Sequence, residues 1–336
     1  MTSNRAVTVF GAYGHTGRFV VAELCRRGCA PILSGRDTGK LEAFGAEHPT
    51  LERRVASVED PASLNRAIDG AVAVINCAGP FLDTATPVVE AALRARIHYL
   101  DITAEQRAAL DVFERHGDAA RSAGITVLPG MAFYGGLADL LATAAMDDWL
   151  QADDIDIGIA LDSWHPTAGT RLTGRRNHYQ RLVVTNGRLA ALANPPPTRE
   201  WHFPAPFGTQ PMVALPFSET ITISRHMRVQ ELHSWFNLAP LEDVRDPNTP
   251  LPVASDAKGR SSQRFAMEVV VRNGEQVRRA TAGGRDIYAI TAPLVVEAAT
   301  RFIDGRHKTL GVTTAGATFD AGDFLAALSP CHLQVD

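Results

Sequence analysis

Residues 7–17, Val-Thr-Val-Phe-Gly-Ala-Tyr-Gly-His-Thr-Gly, constrain this chain more than any other stretch. An apolar, β-rich run ends in a glycine turn and opens at once into an amphipathic segment. That segment carries Phe19, Val20 and Leu24 on one face and stops at Gly28. A strand, a tight turn and a helix are the only elements that suit such a pattern. Gly11 allows the turn, Gly14 lets a ligand approach the backbone, and Gly17 lets the helix sit close to the strand. The first N–H groups of a helix lack intrahelical partners and carry its positive end, which makes them an anion site. Gly11, Tyr13, Gly14, His15, Thr16 and Gly17 are therefore candidate contacts for the pyrophosphate of a dinucleotide.

The pattern continues in kind to about residue 150. Pro31–Ser34 reads as a second strand, and Asp60 with Pro61 as the N-cap and first residue of a helix stopped by Gly70. Ala71–Ala78 is a near-continuous apolar run, as expected of a strand covered on both faces. Thr86 and Pro87 read as the start of the next helix. His98–Ile102 is a further strand, Thr103 and Gln106 have capping-box spacing for a helix ending at Gly124, and Ile125–Leu128 closes the series. Such alternation predicts βαβ units and a parallel sheet.

Beyond about residue 150 the period becomes two. Asp153–Asp162 places Ile155, Ile157, Ile159 and Leu161 on one face, and alternation returns at Glu219–Ser224 and Arg264–Arg272. Asn186-Gly187 and Asn273-Gly274 read as type I′ hairpin turns, so an antiparallel sheet is expected. Thr291 and Pro293 read as the opening of a last long helix. The expected fold class is α/β: a Rossmann-type parallel sheet over residues 1–130 and an α+β substrate and dimerisation domain over 131–288. C-terminal helices, 289–336, would return to the Rossmann domain.

The second strand selects the dinucleotide. An NAD site usually ends this strand with an acid that accepts the ribose hydroxyls. Here the strand ends Ser34-Gly35-Arg36, with Asp37 one position later as a cap for the next helix. Ser34 and Arg36 suit a 2′-phosphate, so NADP(H) is the expected cofactor. The fourth strand ends Asn76-Cys77-Ala78-Gly79-Pro80-Phe81, which the fold places beside the nicotinamide half of the cofactor.

Composition excludes several other classes. A formal net charge of −4 over 336 residues offers no footprint for nucleic acid. No apolar run approaches the roughly 18 residues that a membrane span needs. Eleven histidines show no HExxH or paired spacing, so no metal site is expected. Four cysteines without CxxC spacing, and an N-terminus that enters a strand directly, suggest a reduced, cytoplasmic protein.

Taken together, Gly11–Gly17, Ser34–Asp37, Asn76–Phe81 and His98–Asp101 resemble the saccharopine dehydrogenase-like reductases. The resemblance covers about the first 130 residues and, more weakly, Tyr288–Pro293. It implies an NADP-binding Rossmann domain with an inserted α+β substrate domain. The family includes saccharopine reductases and trans-acting enoyl reductases, so it implies cofactor and fold more than substrate.

Reduction also needs a group that polarises or protonates the substrate. Asp101, at the end of the fifth strand, Tyr134, in the loop entering the second domain, and the pair His178-Tyr179 are the catalytic candidates. His165, Arg171 and Arg175 lie in the densest polar stretch and are candidates for holding a small-molecule substrate. The preferred expectation is an NADPH-dependent reductase of a C=N, C=O or conjugated C=C bond. A non-catalytic NADP(H)-binding regulator is the alternative, and a homodimer through the antiparallel sheet is the expected assembly.

Overall fold

A computed structural model describes residues 5–335. The chain forms two compact units. The first runs to Ala132 and takes in Thr291–Thr313; the second comprises Phe133–Ile290 and the chain from Thr314 onward.

In the first unit, β1 (Ala6–Phe10), α1 (His15–Arg26), β2 (Ala30–Gly35), α2 (Thr38–Glu47), β3 (Arg53–Val55) and α3 (Pro61–Ile68) follow one another. Then come β4 (Ala73–Asn76), α4 (Phe81–Ala95), β5 (His98–Asp101), α5 (Gln106–Ala123) and β6 (Thr126–Leu128). The strands align in the order β3-β2-β1-β4-β5-β6, all parallel, which is a doubly wound sheet reversing direction between β1 and β4. Register sets the site. Phe10 pairs with Ser34 on one side and Asn76 on the other, and Asn76 pairs with Asp101, so these strand ends lie level at one edge.

Two boundaries differ from the sequence expectation. Helix α4 begins at Phe81 and carries Pro87 inside it, rather than starting at Thr86. Its first turn is stabilised from far along the chain: the buried Glu105 carboxylate accepts the N–H groups of Phe81 (2.9 Å) and Leu82 (3.2 Å). Glu105 is itself the N-cap residue of α5, so Thr103 lies outside that cap and its hydroxyl accepts the Glu105 N–H at 3.0 Å.

The second unit begins with a π-helical turn, Phe133–Leu137, running into α6 (Ala138–Met146). It continues through β7 (Ala152–Leu161), α7 (Ala168–Arg176), β8 (Leu182–Thr185), β9 (Arg188–Ala191), β10 (Thr198–His202) and β11 (Thr209–Ala214). After α8 (Ser218–Ser224) come β12 (Val229–Asn237), α9 (Ala239–Arg245), β13 (Arg264–Asn273) and β14 (Gln276–Arg285). The sheet is mixed rather than wholly antiparallel. Its central pair, β7 and β12, is parallel, a pairing that the long intervening chain with its helices permits.

Residues 219–224, expected as a strand, are helical, and Ser218–Ile223 are all buried. Their Thr/Ile alternation is therefore not an exposed-versus-core alternation. The Asn186-Gly187 hairpin has positive φ at both residues (52° and 72°), as type I′ requires. In the second hairpin Asn273 pairs with Gln276, so the turn residues are Gly274 and Glu275. Positive φ falls on Gly274 alone (57°), the type II′ pattern, and Asp153 accepts the Gly274 N–H at 2.7 Å.

Helix α10 (Ile287–Ile303) starts four residues before Thr291 because Asp286 accepts the N–H groups of Tyr288 and Ala289, each at 3.0 Å. Its Glu297 pairs with Arg27 and Arg301, and β15 (Gly311–Val312) extends the first sheet beside β6. The return to the first unit ends there. Helices α11 (Ala315–Thr318) and α12 (Ala321–Leu328) and β16 (Gln334–Val335), expected on the first unit, belong to the second. The Gly316 N–H donates to Asp139 on α6 at 3.0 Å, and β16 pairs with β14. No helix among the described residues is long and apolar enough to cross a membrane.

Candidate functional site

The glycine turn is held at the sheet edge by the backbone. The Ser34 carbonyl accepts the N–H groups of Gly11 (2.8 Å) and Ala12 (3.1 Å), and the Cys77 N–H donates to Phe10 at 2.7 Å. Gly11 has φ 86°, and a Cβ there would come within 2.9 Å of the Cys77–Ala78 backbone. A Cβ on Gly17 would meet the Gly11 carbonyl at 2.2 Å. Both glycines are thus required by packing against backbone. No side chain caps α1 at Gly14, and no acid stands in its first turn, which suits Gly14, His15 and Thr16 to an anion.

The end of β2 separates the sequence candidates. Ser34 is fully enclosed, with its Oγ buried and without a partner, so it holds the turn through its carbonyl instead of presenting its hydroxyl to a phosphate. Arg36 is exposed and its guanidinium engages no acid among the described residues. Asp37 caps α2 by accepting the Lys40 N–H at 3.0 Å. The Tyr13 hydroxyl accepts the Asp37 N–H at 3.1 Å, and its ring lies over Gly35.

Asn76 is fully buried and ties down the loop after β4. Its Oδ1 accepts the Ala78 N–H at 3.0 Å, and its Nδ2 donates to Thr84 (3.2 Å) and Tyr99 (3.3 Å). The Tyr99 hydroxyl donates in turn to Asp101 at 2.8 Å. Cys77 and Ala78 are half-buried, and Gly79, before a cis bond to Pro80, is exposed at the sheet edge. Phe81 is buried. Burial, with the nearby Asp101 carboxylate, pushes the Cys77 thiol pKa up.

Asp101 is fully enclosed, and both of its oxygens are engaged. Oδ1 accepts the N–H groups of Thr103 (2.9 Å) and Gly130 (2.8 Å), and Oδ2 accepts the Tyr99 hydroxyl. Burial pushes its pKa up to about 6 against the pull of these donors. The carboxyl joins the ends of β5 and β6.

In the second unit, Tyr134 is buried on the π turn, its ring stacked on Phe217 at 4.1 Å. His178 and Tyr179 are exposed between α7 and β8. His165 is half-buried, and Arg175 is exposed on α7. Arg171 donates to the carbonyls of Asp246 (3.2 and 3.3 Å) and Thr249 (2.7 Å), so it closes a loop. No hydrogen bond, ion pair or ring contact among the described residues joins these side chains to one another. Two residues outside the site candidates of the sequence stand out in this unit. Tyr288 gathers Trp164 (3.0 Å), Thr167 (3.4 Å) and Thr170 (3.0 Å) on its hydroxyl, and Glu219 is fully buried.

A doubly wound parallel sheet with a glycine turn at its reversal point defines the first unit as a Rossmann dinucleotide-binding domain. Residues 7–128 match the family model of the saccharopine dehydrogenase NADP binding domain. Its cofactor is a nicotinamide dinucleotide. Among curated proteins, a saccharopine dehydrogenase-like oxidoreductase from Bos taurus is 28% identical over 152 residues, covering 40% of this chain and 35% of the relative. A probable mitochondrial saccharopine dehydrogenase-like oxidoreductase from Arabidopsis thaliana is 26% identical over 48% of this chain and 40% of the relative. The matches thus span well under half the length of these relatives. Apo saccharopine dehydrogenase (L-Glu forming) from Saccharomyces cerevisiae aligns at a TM-score of 0.69 over 99% of both chains with 11% identity, a likeness of fold.

Proposed function

We propose that this chain is an NADPH-dependent reductase acting on a C=N, C=O or conjugated C=C bond of a small metabolite. The observation that carries the choice of NADPH is Arg36, an exposed guanidinium without an acid partner at the end of β2. The neighbouring acid, Asp37, caps the next helix through one carboxylate oxygen. The turn Gly11–Gly17 would hold the pyrophosphate, Arg36 the 2′-phosphate, and the exposed Gly79 edge would face the nicotinamide half. Bound NADPH supplies the hydride. The chain must supply the proton and exclude water.

The competing reading is a non-catalytic NADP(H)-binding protein. It is favoured by Asp101 being enclosed and by His178 and Tyr179 being exposed, so these candidates do not form one constellation. Following NADPH oxidation at 340 nm with a panel of imines, ketones and enoyl compounds separates the two readings. Turnover of any class supports the reductase. NADPH binding without turnover across the panel supports the alternative.

A further inference from the structure

We propose that a cleft in the second unit, between the β8–β9 hairpin and the turn from α8 into β12, binds a small organic anion with one negative group on an apolar body. The cleft encloses about 450 Å³ and is half-open to solvent, a size suited to a small molecule. Three segments of the second unit line it: residues 151–153 at the start of β7, the hairpin at Val184, Gly187 and Leu189, and residues between Ser224 and Gln230.

Backbone bonds fix these walls. The Gly187 N–H donates to the Gln230 carbonyl at 2.9 Å, and the Asn186 N–H to Glu231 Oε1 at 3.0 Å, which ties the hairpin tip to β12. The Ala152 N–H donates to the Arg228 carbonyl at 2.9 Å, and the Met227 N–H to the Ile223 carbonyl at 3.0 Å. The turn between α8 and β12 is thereby held to β7 and to its own helix. The cleft is formed by the fold itself, so a ligand need not order it.

The lining selects the ligand. Val184, Leu189, Met227 and Val229 supply apolar contact, and Leu189 is left exposed to solvent. Arg225 and Arg228 bring two positive charges against one negative charge from Asp153, whose Oδ2 accepts the Gly274 N–H at 2.7 Å. The Arg228 side chain is exposed and makes no hydrogen bond or ion pair among the described residues, so its guanidinium is open to a ligand. Two positive charges less one leave an excess of one, which a single monovalent group balances. A guanidinium grips a carboxylate through two parallel N–H donors, while hydrocarbon lies against the apolar side chains. A cation would meet net repulsion, and a sugar would set its hydroxyls against four apolar side chains. The site stands whether or not the first unit carries out a reduction.

The test is isothermal titration of the full chain with sodium octanoate, with no nucleotide added. Octanamide, equal in length and uncharged, is the control. Octanoate is expected to bind saturably, and octanamide roughly tenfold more weakly or not at all. Arg228→Gln removes a guanidinium without a protein partner, so it should melt as wild type does yet bind octanoate roughly tenfold more weakly. Leu189→Trp, at an exposed position, fills the cleft and should abolish binding. The proposal is overturned if octanoate shows no saturable binding, if octanamide binds as tightly, or if either variant binds octanoate like wild type. None of these outcomes bears on the nucleotide reading, because no nucleotide is present.

Discussion

The hydroxyl of Tyr13 accepts the backbone N–H of Asp37 at 3.1 Å, while its ring lies where a Cβ on Gly35 would come within 2.5 Å. A residue of the glycine turn thereby fixes the end of β2, next to Arg36 and Asp37. Gly35→Ala displaces the flexible Tyr13 ring and should leave the fold intact while weakening both NADPH and NADH. Tyr13→Phe keeps the ring and loses one hydrogen bond, worth about 1 kcal/mol of stability, so affinity should fall by at most roughly fivefold. Fluorescence titration of the two variants checks this order.

Gly17→Ala tests the turn itself. The added Cβ would sit 2.2 Å from the Gly11 carbonyl, and backbone cannot move aside as a side chain can. The expected loss is about 2–3 kcal/mol of stability, with dinucleotide binding abolished. Urea unfolding with and without NADPH measures both effects.

Asp101 should set a pH dependence. Its folded pKa, raised from 3.8 to about 6, means that the folded state holds the proton more tightly than the unfolded chain. Stability should therefore fall as pH rises from about 4 through 6, by up to about 3 kcal/mol. Asp101→Asn should flatten that profile. Asp101→Ala leaves the Thr103 and Gly130 N–H groups and the Tyr99 hydroxyl without their acceptor, at a cost of about 3 kcal/mol. Thermal unfolding from pH 4 to 8 separates the variants.

A second titration belongs to the C-terminal segment. His226 and Asp139 lie 2.6 Å apart, and Asp139 also accepts the Gly316 N–H. Burial acts to lower the His226 pKa, but the charge and hydrogen bond of Asp139 outweigh it and raise the value. The stabilisation is complete below 6.5 and is lost as pH rises through the raised value. Amide exchange at Gly316 should accelerate across that range relative to the intrinsic rate, and His226→Gln should remove the acceleration.

Much of the first unit was legible because local rules decide it. Gly17 must be glycine because of the Gly11 carbonyl in its own turn and Gly11 because of its positive φ, and the apolar run around β4 announces a doubly covered strand. The failures arise where distant residues intervene. Pro87 reads as a helix start, yet Glu105 anchors α4 six residues earlier at Phe81. Ser34 reads as a phosphate ligand, but β2 is covered on both faces and its side chain is enclosed. In the second unit, Glu219 sits in a Thr/Ile alternation that imitates a strand, and Arg181 lies outside any motif. Arg181 meets Phe217, two residues before Glu219, only in the folded chain.

The account turns on Arg36. Titrating wild type and Arg36→Ala with NADPH and NADH by fluorescence compares the four affinities directly. The expected result is tight NADPH binding in wild type, weakened roughly 10–100-fold in Arg36→Ala, with NADH changed less than about twofold. Equal affinity of the wild type for the two dinucleotides, or an equal loss of both in the variant, would contradict it.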